Sequence, residues 1–381
     1  MAQNRVPAVF MRGGTSNALV FHRKDLPKDE AEWPALFLAA MGSPDPSGRQ
    51  LNGMGGGISS LSKVCVVGPP TRDDADIDYS FFQVGITDDM VDTSGNCGNM
   101  SSAMGPFALD EGLVPAPQDG ADMQVRIHNT NTSKVIVGHF QAENGKARVS
   151  GAFALDGVGG TGSPIRLEFL DPGGAGTGSL LPTGSALDTL KVDGLGEIEV
   201  SMIDAANPCV FVEASTLSRS GTDLPDAMEA DPELLEQLEA IRCAASVAMG
   251  IAPTENEAAK IPSIPKVAIV FAPTECTTLS KVALGTSDYE IGIRMISIGR
   301  PHRAVPLTGG ICLAVAVRIP GSLPNRLAGP DDGTIRVGHP SGILPLDAKV
   351  TVAEDGTVHA VHGAVYRTAR RLFDGNVYIP D

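Results

Sequence analysis

Hydrophobic residues fall mostly into short runs rich in valine and isoleucine, bounded by glycine, proline and polar residues. Runs of about four to eight such residues are typical of buried strands, whereas apolar residues three or four positions apart indicate helices. Strands predominate, and the predicted fold class is α+β. Predicted strands cover residues 6–11, 18–21, 63–67, 79–84, 123–127, 134–140, 198–203, 210–212 and 266–271.

Four segments carry the start and stop signals of helices. Proline near the first position and glycine after the last mark a helix over 33–41 and another over 232–250. Two alanine-rich segments, 100–112 and 309–319, follow small polar turns that contain glycine. These four helices interrupt the strands at intervals, as expected for a mixed chain.

The two alanine-rich helices lie in similar surroundings. Segments 94–115 and 306–324 each place a polar, glycine-rich turn before the helix, and a predicted strand precedes each. This pattern predicts two topologically similar halves, each with a central helix whose N-terminus points at a shared cleft. The Gly/Pro/Ser/Thr-rich stretch 171–185 has no periodicity and is the predicted connection.

Charge and cysteine usage exclude several functions. The 381 residues include 29 basic and 45 acidic side chains, a net charge of −16, so we expect neither nucleic acid nor an anionic membrane as partner. Six widely separated cysteines form no Cys-x-x-Cys pair, and the seven histidines show no ligand spacing, so no metal is expected. Without a signal peptide or an apolar run of spanning length, the expected location is cytoplasmic.

The turn 96–99, before the second predicted helix, is a candidate reactive site. Cys97 lies between glycine and asparagine neighbours, and the N–H groups of a helix N-terminus favour a thiolate or a bound anion. An ordinary buried cysteine is the plainer interpretation, but an apolar pocket would not need the asparagines. Cys97 is predicted as catalytic, with substrate-binding neighbours at Asn96, Gly98, Asn99 and Met100.

A second polar stretch, MRGGTSN (11–17), follows the first predicted strand. Arginine offers a fork of donors to a carboxylate, and glycine lets the backbone approach a ligand closely. A plain hairpin turn explains the glycines but not the polar side chains beside the arginine. The predicted anion-binding residues here are Arg12, Gly14, Thr15, Ser16 and Asn17.

A third stretch places Lys63 at the start of the apolar run VCVV, after a glycine-rich turn. Exclusion of water favours the uncharged amine, which can act as a base. A surface lysine beside a strand is the more common alternative. We predict Lys63 as catalytic and, with it, Gly56 and Ser62 as substrate-binding residues.

Basic and polar residues also precede the last alanine-rich helix. Those predicted to bind substrate are Arg294, Ser297, His302, Thr308, Gly309 and Gly310, whereas Arg367, Arg370 and Arg371 are interpreted as a solvated helical face. The GVGGTG sequence (157–162) is followed by Ser-Pro instead of a helix, so a dinucleotide site is rejected. The motifs together predict an anion-receiving cleft for proton transfer on a small polycarboxylate, without metal or nucleotide chemistry.

These motifs resemble the PrpF family in the family's order and over nearly the whole chain. The resemblance implies a diaminopimelate-epimerase-like fold of two similar domains, each a mixed sheet wrapped around a central helix, with the active site between them. We expect domains over 1–184 and 185–362, and a segment 363–381 that packs back on the first. The matching stretches are MRGGTSN (11–17), MGGGISSLSKVCVV (54–67), SGNCGNMSSAMGPFA (94–108), LLPTGSALD (180–188), RPHRAVPLTGGICLAVA (300–316) and RTARRLFDG (367–375).

The resemblance also implies an activity: cofactor-independent isomerisation of an unsaturated di- or tricarboxylate, such as aconitate, methylaconitate or 4-oxalomesaconate. Lys63 would remove a proton from the allylic carbon, and Cys97 would face the substrate as an acid or positioning group. Which group returns the proton stays open, as does the choice between double-bond transposition and cis-trans isomerisation. The family usually has lysine where this chain has Asn17, so the substrate of any one member does not transfer.

Two other functions and the oligomeric state stay open. An amino-acid epimerase of the same fold would use two opposed cysteines, and Thr308 occupies the position corresponding to Cys97, which disfavours it. A non-catalytic paralogue that binds polycarboxylates is the other alternative, motivated by Asn17. A homodimer is compatible with the sequence but not indicated by it.

Overall fold

The computed structural model describes residues 3–93, 95–118, 120–297, 299–329 and 333–380. The chain forms two compact units, of which unit 1 comprises Met1–Glu168 with Tyr366–Asp381 and unit 2 comprises Phe169–Val365. The chain passes from unit 1 to unit 2 within a strand, Ile165–Leu170. The glycine-rich stretch 171–185 lies in unit 2.

Unit 1 is built from a curved sheet and two α-helices. Its elements up to the crossing strand are β1 (Gln3–Gly13), β2 (Ser16–His22), α1 (Trp33–Met41), β3 (Lys63–Gly68), β4 (Ile77–Val84), β5 (Val91–Asp92), α2 (Gly98–Asp110), β6 (Asp122–Asn129), β7 (Lys134–Glu143), β8 (Lys146–Ala147), β9 (Phe153–Ala154), β10 (Thr161–Gly162) and β11 (Ile165–Leu170).

Unit 2 repeats this alternation of strands and helices, and the chain then returns to unit 1. The remaining elements are β12 (Asp188–Val192), β13 (Gly196–Asp204), β14 (Pro208–Glu213), α3 (Pro225–Glu229), α4 (Pro232–Ala248), α5 (Glu255–Ala258), β15 (Lys266–Phe271), β16 (Cys276–Thr277), β17 (Ala283–Leu284), β18 (Ile291–Ser297), β19 (Arg300–Pro301), α6 (Leu307–Arg318), α7 (Leu323–Ala328), β20 (Ile335–His339), β21 (Gly342–Val352), β22 (Val358–Arg367) and β23 (Ala369–Pro380).

The strand pairing shows the internal repeat. In unit 1 the neighbours β1–β2–β3–β4–β6–β7 alternate antiparallel, parallel, antiparallel, parallel and antiparallel. In unit 2 the neighbours β13–β14–β15–β18–β20–β21 follow the same sequence of directions. Because parallel neighbours need a crossover connection, α1 and α2 occupy the same topological places as α4 and α6. The prediction of two similar halves is therefore confirmed.

Each half buries a central helix. In α2 every residue from Met100 to Leu109 is buried, and in α6 every residue from Gly309 to Val317 is buried. A helix that is apolar all round fits only where strands surround it. In unit 1, α2 packs on β1, β6, β7 and β23, and in unit 2, α6 packs on β13, β14 and β21. The sheet of each unit thus wraps around its own helix, as predicted.

The predicted strands and helices are confirmed, with ends shifted by a few residues. The interpretation of the C-terminal arginines as a solvated helical face is wrong. Arg367 ends β22 and is only 8% exposed, while Arg370 and Arg371 lie on β23, which pairs with β1. The C-terminal segment has many polar residues and few apolar ones at regular spacing. Its sequence therefore did not indicate a strand. Among the described residues, no helix has the length and apolar character to cross a bilayer.

The two central helices offer a matched stability test at a glycine in each. A Cβ at Gly105 would lie 2.8 Å from the ring of Phe140, whereas one at Gly310 would lie 3.5 Å from Leu344. We expect Gly105→Ala to lower the free energy of unfolding by about 1–3 kcal/mol, since the ring is buried and Pro106 also disfavours a helical alanine before it. Gly310→Ala should raise it by up to about 1 kcal/mol through helix propensity. Urea unfolding of both variants checks this, and shifts of equal sign would contradict it.

Candidate active site

Lys63 is the first residue of β3 and is buried at 7% exposure. Its ammonium Nζ donates a hydrogen bond to Gln83 Oε1 at 2.5 Å and lies 5.0 Å from the ring centre of Phe81. Both partners lie on the neighbouring strand β4, and Gln83 is the residue directly opposite Lys63. No carboxylate among the described residues pairs with this buried lysine, which is therefore held by uncharged groups.

The loop before Lys63 is fixed by buried polar side chains. Gln50 is fully buried and its amide bonds Ser43 Oγ, Ser62 Oγ and the backbone N–H of Gly57. Ser62 Oγ in turn donates to Val84 O. Ser62, predicted to bind substrate, is thus already engaged with the framework that orients the start of β3.

Cys97 is the N-cap residue of α2 and is partly exposed. Its side chain makes no capping hydrogen bond. The first N–H groups of a helix have no acceptor within the helix, so those of Gly98, Asn99 and Met100 point out of the N-terminus beside the thiol. Asn96 Oδ1 accepts from Ser101 Oγ at 3.2 Å, which holds the preceding turn against the helix.

Lys63 and Cys97 both belong to unit 1, and both influence the buried Cys65 thiol. Burial raises the pKa of the Cys65 thiol, and negative charge on Cys97 adds to that shift while Lys63 opposes it. Burial also raises the pKa of Tyr79 well above its usual range, with Cys65 and Cys97 acting in the same direction. The Cys65 thiol is therefore influenced by both residues, and the catalytic roles of Lys63 and Cys97 stay predictions.

The β1–β2 hairpin brings its turn against the N-terminus of α2. A Cβ at Gly13 would lie 2.6 Å from Asn99 O, and one at Gly14 would lie 2.3 Å from Asn99 Oδ1, so only glycine permits this approach. Asn99 Nδ2 donates to Thr15 Oγ1 at 3.1 Å. Arg12 Nη1 donates to Gly14 O and to Thr368 O, both at 2.9 Å, so this arginine ties the turn to the residue between β22 and β23.

Arg367 is a residue of this site that sequence reasoning missed. Its Nε donates to Asn99 Oδ1 at 3.1 Å and its Nη1 to Tyr366 O at 2.8 Å. Burial lowers the pKa of the Arg367 guanidinium to about 10, and negative charge on Cys97 opposes that shift. Within the described part of the chain no carboxylate pairs with it. Arg367 is therefore a buried cation held against Asn99 and influenced by Cys97, which is predicted as an acid or positioning group.

Unit 2 holds a corresponding group of residues. Lys266 begins β15 as Lys63 begins β3, and its Nζ donates to Ser297 Oγ on the antiparallel neighbour at 3.1 Å. Burial lowers the pKa of Lys266 and that of His302, and the charge of Lys266 adds to the shift at His302. Thr308 and Gly309 lie in the first turn of α6, beyond its N-cap Pro306. Their contact with substrate stays a prediction.

The other predicted residues have structural contacts of their own. Arg294 is 2% exposed, and its guanidinium donates to the carbonyls of Asp223, Thr222 and Ile293 while lying 5.2 Å from the Phe271 ring. Ser16 is buried, and Asn17 pairs in register with Arg12 across the hairpin. Gly56 approaches Leu61 closely. Contact between these residues and substrate stays a prediction. The contacts observed within the protein already account for their positions.

Of the three residues of the two clusters that the motifs missed, Lys266, Gln83 and Arg367, one had a signal in the sequence. KVCVV (63–67) and KVAIV (266–270) repeat the same lysine-strand pattern, which identifies Lys266. Gln83 follows from strand register and Arg367 from long-range packing, so neither has a local signal. Among the described residues no group of three or more His, Cys, Asp or Glu side chains is arranged to hold a metal.

Comparison with known proteins agrees with this geometry. Residues 3–380 match the family model described as PrpF protein. The chain is 41% identical to 3-methylitaconate isomerase of Eubacterium barkeri over 99% of this chain and 98% of the relative. It is 39% identical to 2-methyl-aconitate isomerase of Cupriavidus necator, covering 99% of this chain and 98% of that one.

The fold also matches a solved structure. The crystal structure of methylitaconate-delta-isomerase superposes with a TM-score of 0.92 at 40% identity, over 100% of this chain and 96% of that chain. These relatives are isomerases, which confirms the enzyme class expected from the motifs. The chain belongs to the PrpF family.

Proposed function

We propose that the protein isomerises an unsaturated di- or tricarboxylate of the methylitaconate, methylaconitate or oxalomesaconate class by moving a proton, without a cofactor. The observation that carries the proposal is Lys63, a buried lysine held by uncharged groups, which influences the same buried thiol, Cys65, as Cys97 does. A lysine amine that is not engaged by a carboxylate can act as a general base when it lies within reach of the proton it removes.

The proposed reaction only rearranges atoms. The Lys63 amine takes a proton from the allylic carbon, and the electron pair of that C–H bond moves into the conjugated carboxylate system. A new C–H bond at the far end of the allylic unit consumes the electron pair and restores the carboxylate. No oxidation state changes, so acid-base groups suffice. The Lys63 ammonium and the Cys97 thiol are the two groups that can supply the returning proton.

Negative charge that develops on the substrate needs a positive environment. The backbone N–H groups at the start of α2 and the guanidinium of Arg367 lie together beside Cys97. Donors fixed in a buried site stabilise such charge without reorganising, and this is a large contribution to catalysis. We assign the substrate carboxylate nearest the reacting carbon to this group. The net charge of −16 therefore does not oppose binding of a polyanion, because the cations are local.

The substrate itself is to be identified with a panel of unsaturated di- and tricarboxylates. Absorbance of the conjugated alkene follows turnover, and NMR in D₂O follows proton exchange. Turnover of one class supports the proposal. Tight binding without turnover across the panel would instead support the non-catalytic alternative. Cytoplasmic location and the absence of nucleic-acid and membrane partners stay predictions from composition.

Replacement of the base gives the first test. Lys63→Met removes the amine, so kcat should fall by about 10²–10⁴-fold and solvent deuterium should no longer enter the allylic position. Lys191→Met, at an exposed lysine on β12, is the matched control and should change neither. Deuterium exchange that persists in Lys63→Met would show that another group removes the proton.

Alkylation tests the position of Cys97. Cys97 and Cys276 are the partly exposed cysteines, while Cys65, Cys209, Cys243 and Cys312 are buried. Iodoacetamide should inactivate the enzyme, and the saturated analogue propane-1,2,3-tricarboxylate should protect it. Cys276→Ser should remain sensitive, whereas the residual activity of Cys97→Ser should be insensitive. Equal inactivation of both variants would place the reactive thiol elsewhere.

The carboxylate contact is tested at Arg367. Loss of charge-assisted hydrogen bonds worth about 1.5–3 kcal/mol should raise the KM of Arg367→Met and weaken binding of the saturated analogue by about 10- to 100-fold. Arg370→Met, at an exposed arginine on β23, serves as the control. Unchanged KM and analogue affinity in a folded Arg367→Met variant would contradict the assignment.

A further inference from the structure

We propose that Gln83 is the positioning residue of Lys63: its amide oxygen holds Nζ through an uncharged hydrogen bond, so the amine loses and regains its proton without breaking an ion pair. This inference rests on the proposed role of Lys63 as the base. Gln83 contacts the lysine and not the substrate, and it acts by fixing where the amine points.

The amide of Gln83 can adopt only one of its two orientations. Its Nε2 donates to Ser59 O at 3.0 Å and to Ser62 O at 2.9 Å, while its Oε1 accepts from Lys63 Nζ. The reversed amide would place an N–H group against the ammonium and an oxygen against two carbonyls. The hydrogen bonds from Nε2 to the two carbonyls therefore orient the amide so that Oε1 points at Lys63.

The backbone around this contact is tied on both sides. Lys63 and Gln83 are opposite residues of the β3–β4 pair, and Gln83 is also paired with Asp92 of β5. One residue further, Val84 N–H donates to Ser62 O, and the buried Ser62 hydroxyl donates to Val84 O. Neither strand end can shift without breaking these bonds, so the backbones that carry Lys63 and Gln83 are held in register.

The partner of Lys63 is the uncharged amide of Gln83 and not a carboxylate, and this affects the charge of the lysine. Lys63 influences the Cys65 thiol of its own strand, as does Cys97 at α2, and Cys97 also influences Tyr79 of β4 and Arg367. Asp92 of β5 lies opposite Gln83 in strand register. A carboxylate at position 83 would hold the lysine as an ammonium, because an opposite charge within about 4–6 Å favours the charged form.

The same hydrogen bond directs the reactive lone pair. An uncharged amine that donates one N–H to Gln83 Oε1 keeps its lone pair on a different tetrahedral direction, pointing away from the amide. The N–H that points towards β4 is therefore used to donate to Gln83. The lone pair, on the other side of the nitrogen, is free to accept the substrate proton. A misdirected lone pair lowers kcat more than it changes substrate binding.

Gln83→Glu is the decisive variant because it keeps size and adds charge. We expect the acidic limb of the kcat/KM profile to move about 1–3 pH units upward. Activity at pH 7 should fall by tenfold or more and recover at alkaline pH. Gln83→Met should lower kcat by tenfold or more, with KM within about twofold of the parent and no upward shift of the limb. Gln141→Glu, at an exposed glutamine on β7, is the matched control and should match the parent.

A second measurement separates this inference from the proposed function. The chain has ten lysines, so protein labelled with ¹³C at lysine Cε gives few signals, and Lys63→Met identifies that of Lys63. Its titration midpoint should lie at least one pH unit higher in Gln83→Glu than in the parent, whether or not any substrate is turned over. A folded Gln83→Glu variant with an unchanged midpoint and pH profile overturns the proposal. A shifted midpoint in an enzyme inert to the whole substrate panel overturns only the proposed function.

Discussion

Burial of a central helix inside its own sheet is the constraint on which the site in unit 1 depends. Because α2 is surrounded by strands from Met100 to Leu109, its first turn is the end at which backbone donors remain available. Cys97 begins the helix without capping it, and the hairpin turn at Gly13 and Gly14 approaches closely enough to touch Asn99. The backbone N–H groups of the first turn and the Cys97 thiol therefore lie together at the helix N-terminus. The packing that places them there is the same packing that buries α2.

The cost of this arrangement is two buried basic side chains without carboxylate partners in the described part of unit 1. Lys63 is held by an amide and an aromatic ring, and Arg367 by an amide oxygen and a carbonyl. Burying a charge without a counter-ion is unfavourable. Under the proposed function, a substrate carboxylate would supply the missing partner of Arg367.

The internal repeat explains why unit 2 contains a similar lysine. The two units share the order and direction of six paired strands, so a residue at the start of the third strand faces the end of the fourth in each. In unit 1 that pair is Lys63 and Gln83, and in unit 2 it is Lys266 and Ser297. Only unit 1 places a cysteine at the N-cap of the central helix, since Pro306 holds that position in unit 2. The two units therefore share the same arrangement of strands and central helix, but they differ in the residue at the helix N-cap.

The sequence by itself determined the class of the fold, most of the strands and four helices, and the motifs that carry Lys63 and Cys97. Those features depend on local periodicity, turn residues and helix ends, all of which can be read within about ten residues. Only the tertiary structure decided that Gln83 faces Lys63 and that Arg367, which the sequence suggested as solvated, is buried against Asn99. The reason is physical: strand register and contacts between residues 20 or 268 positions apart are set by how the sheet closes around α2, and no local pattern records that closure.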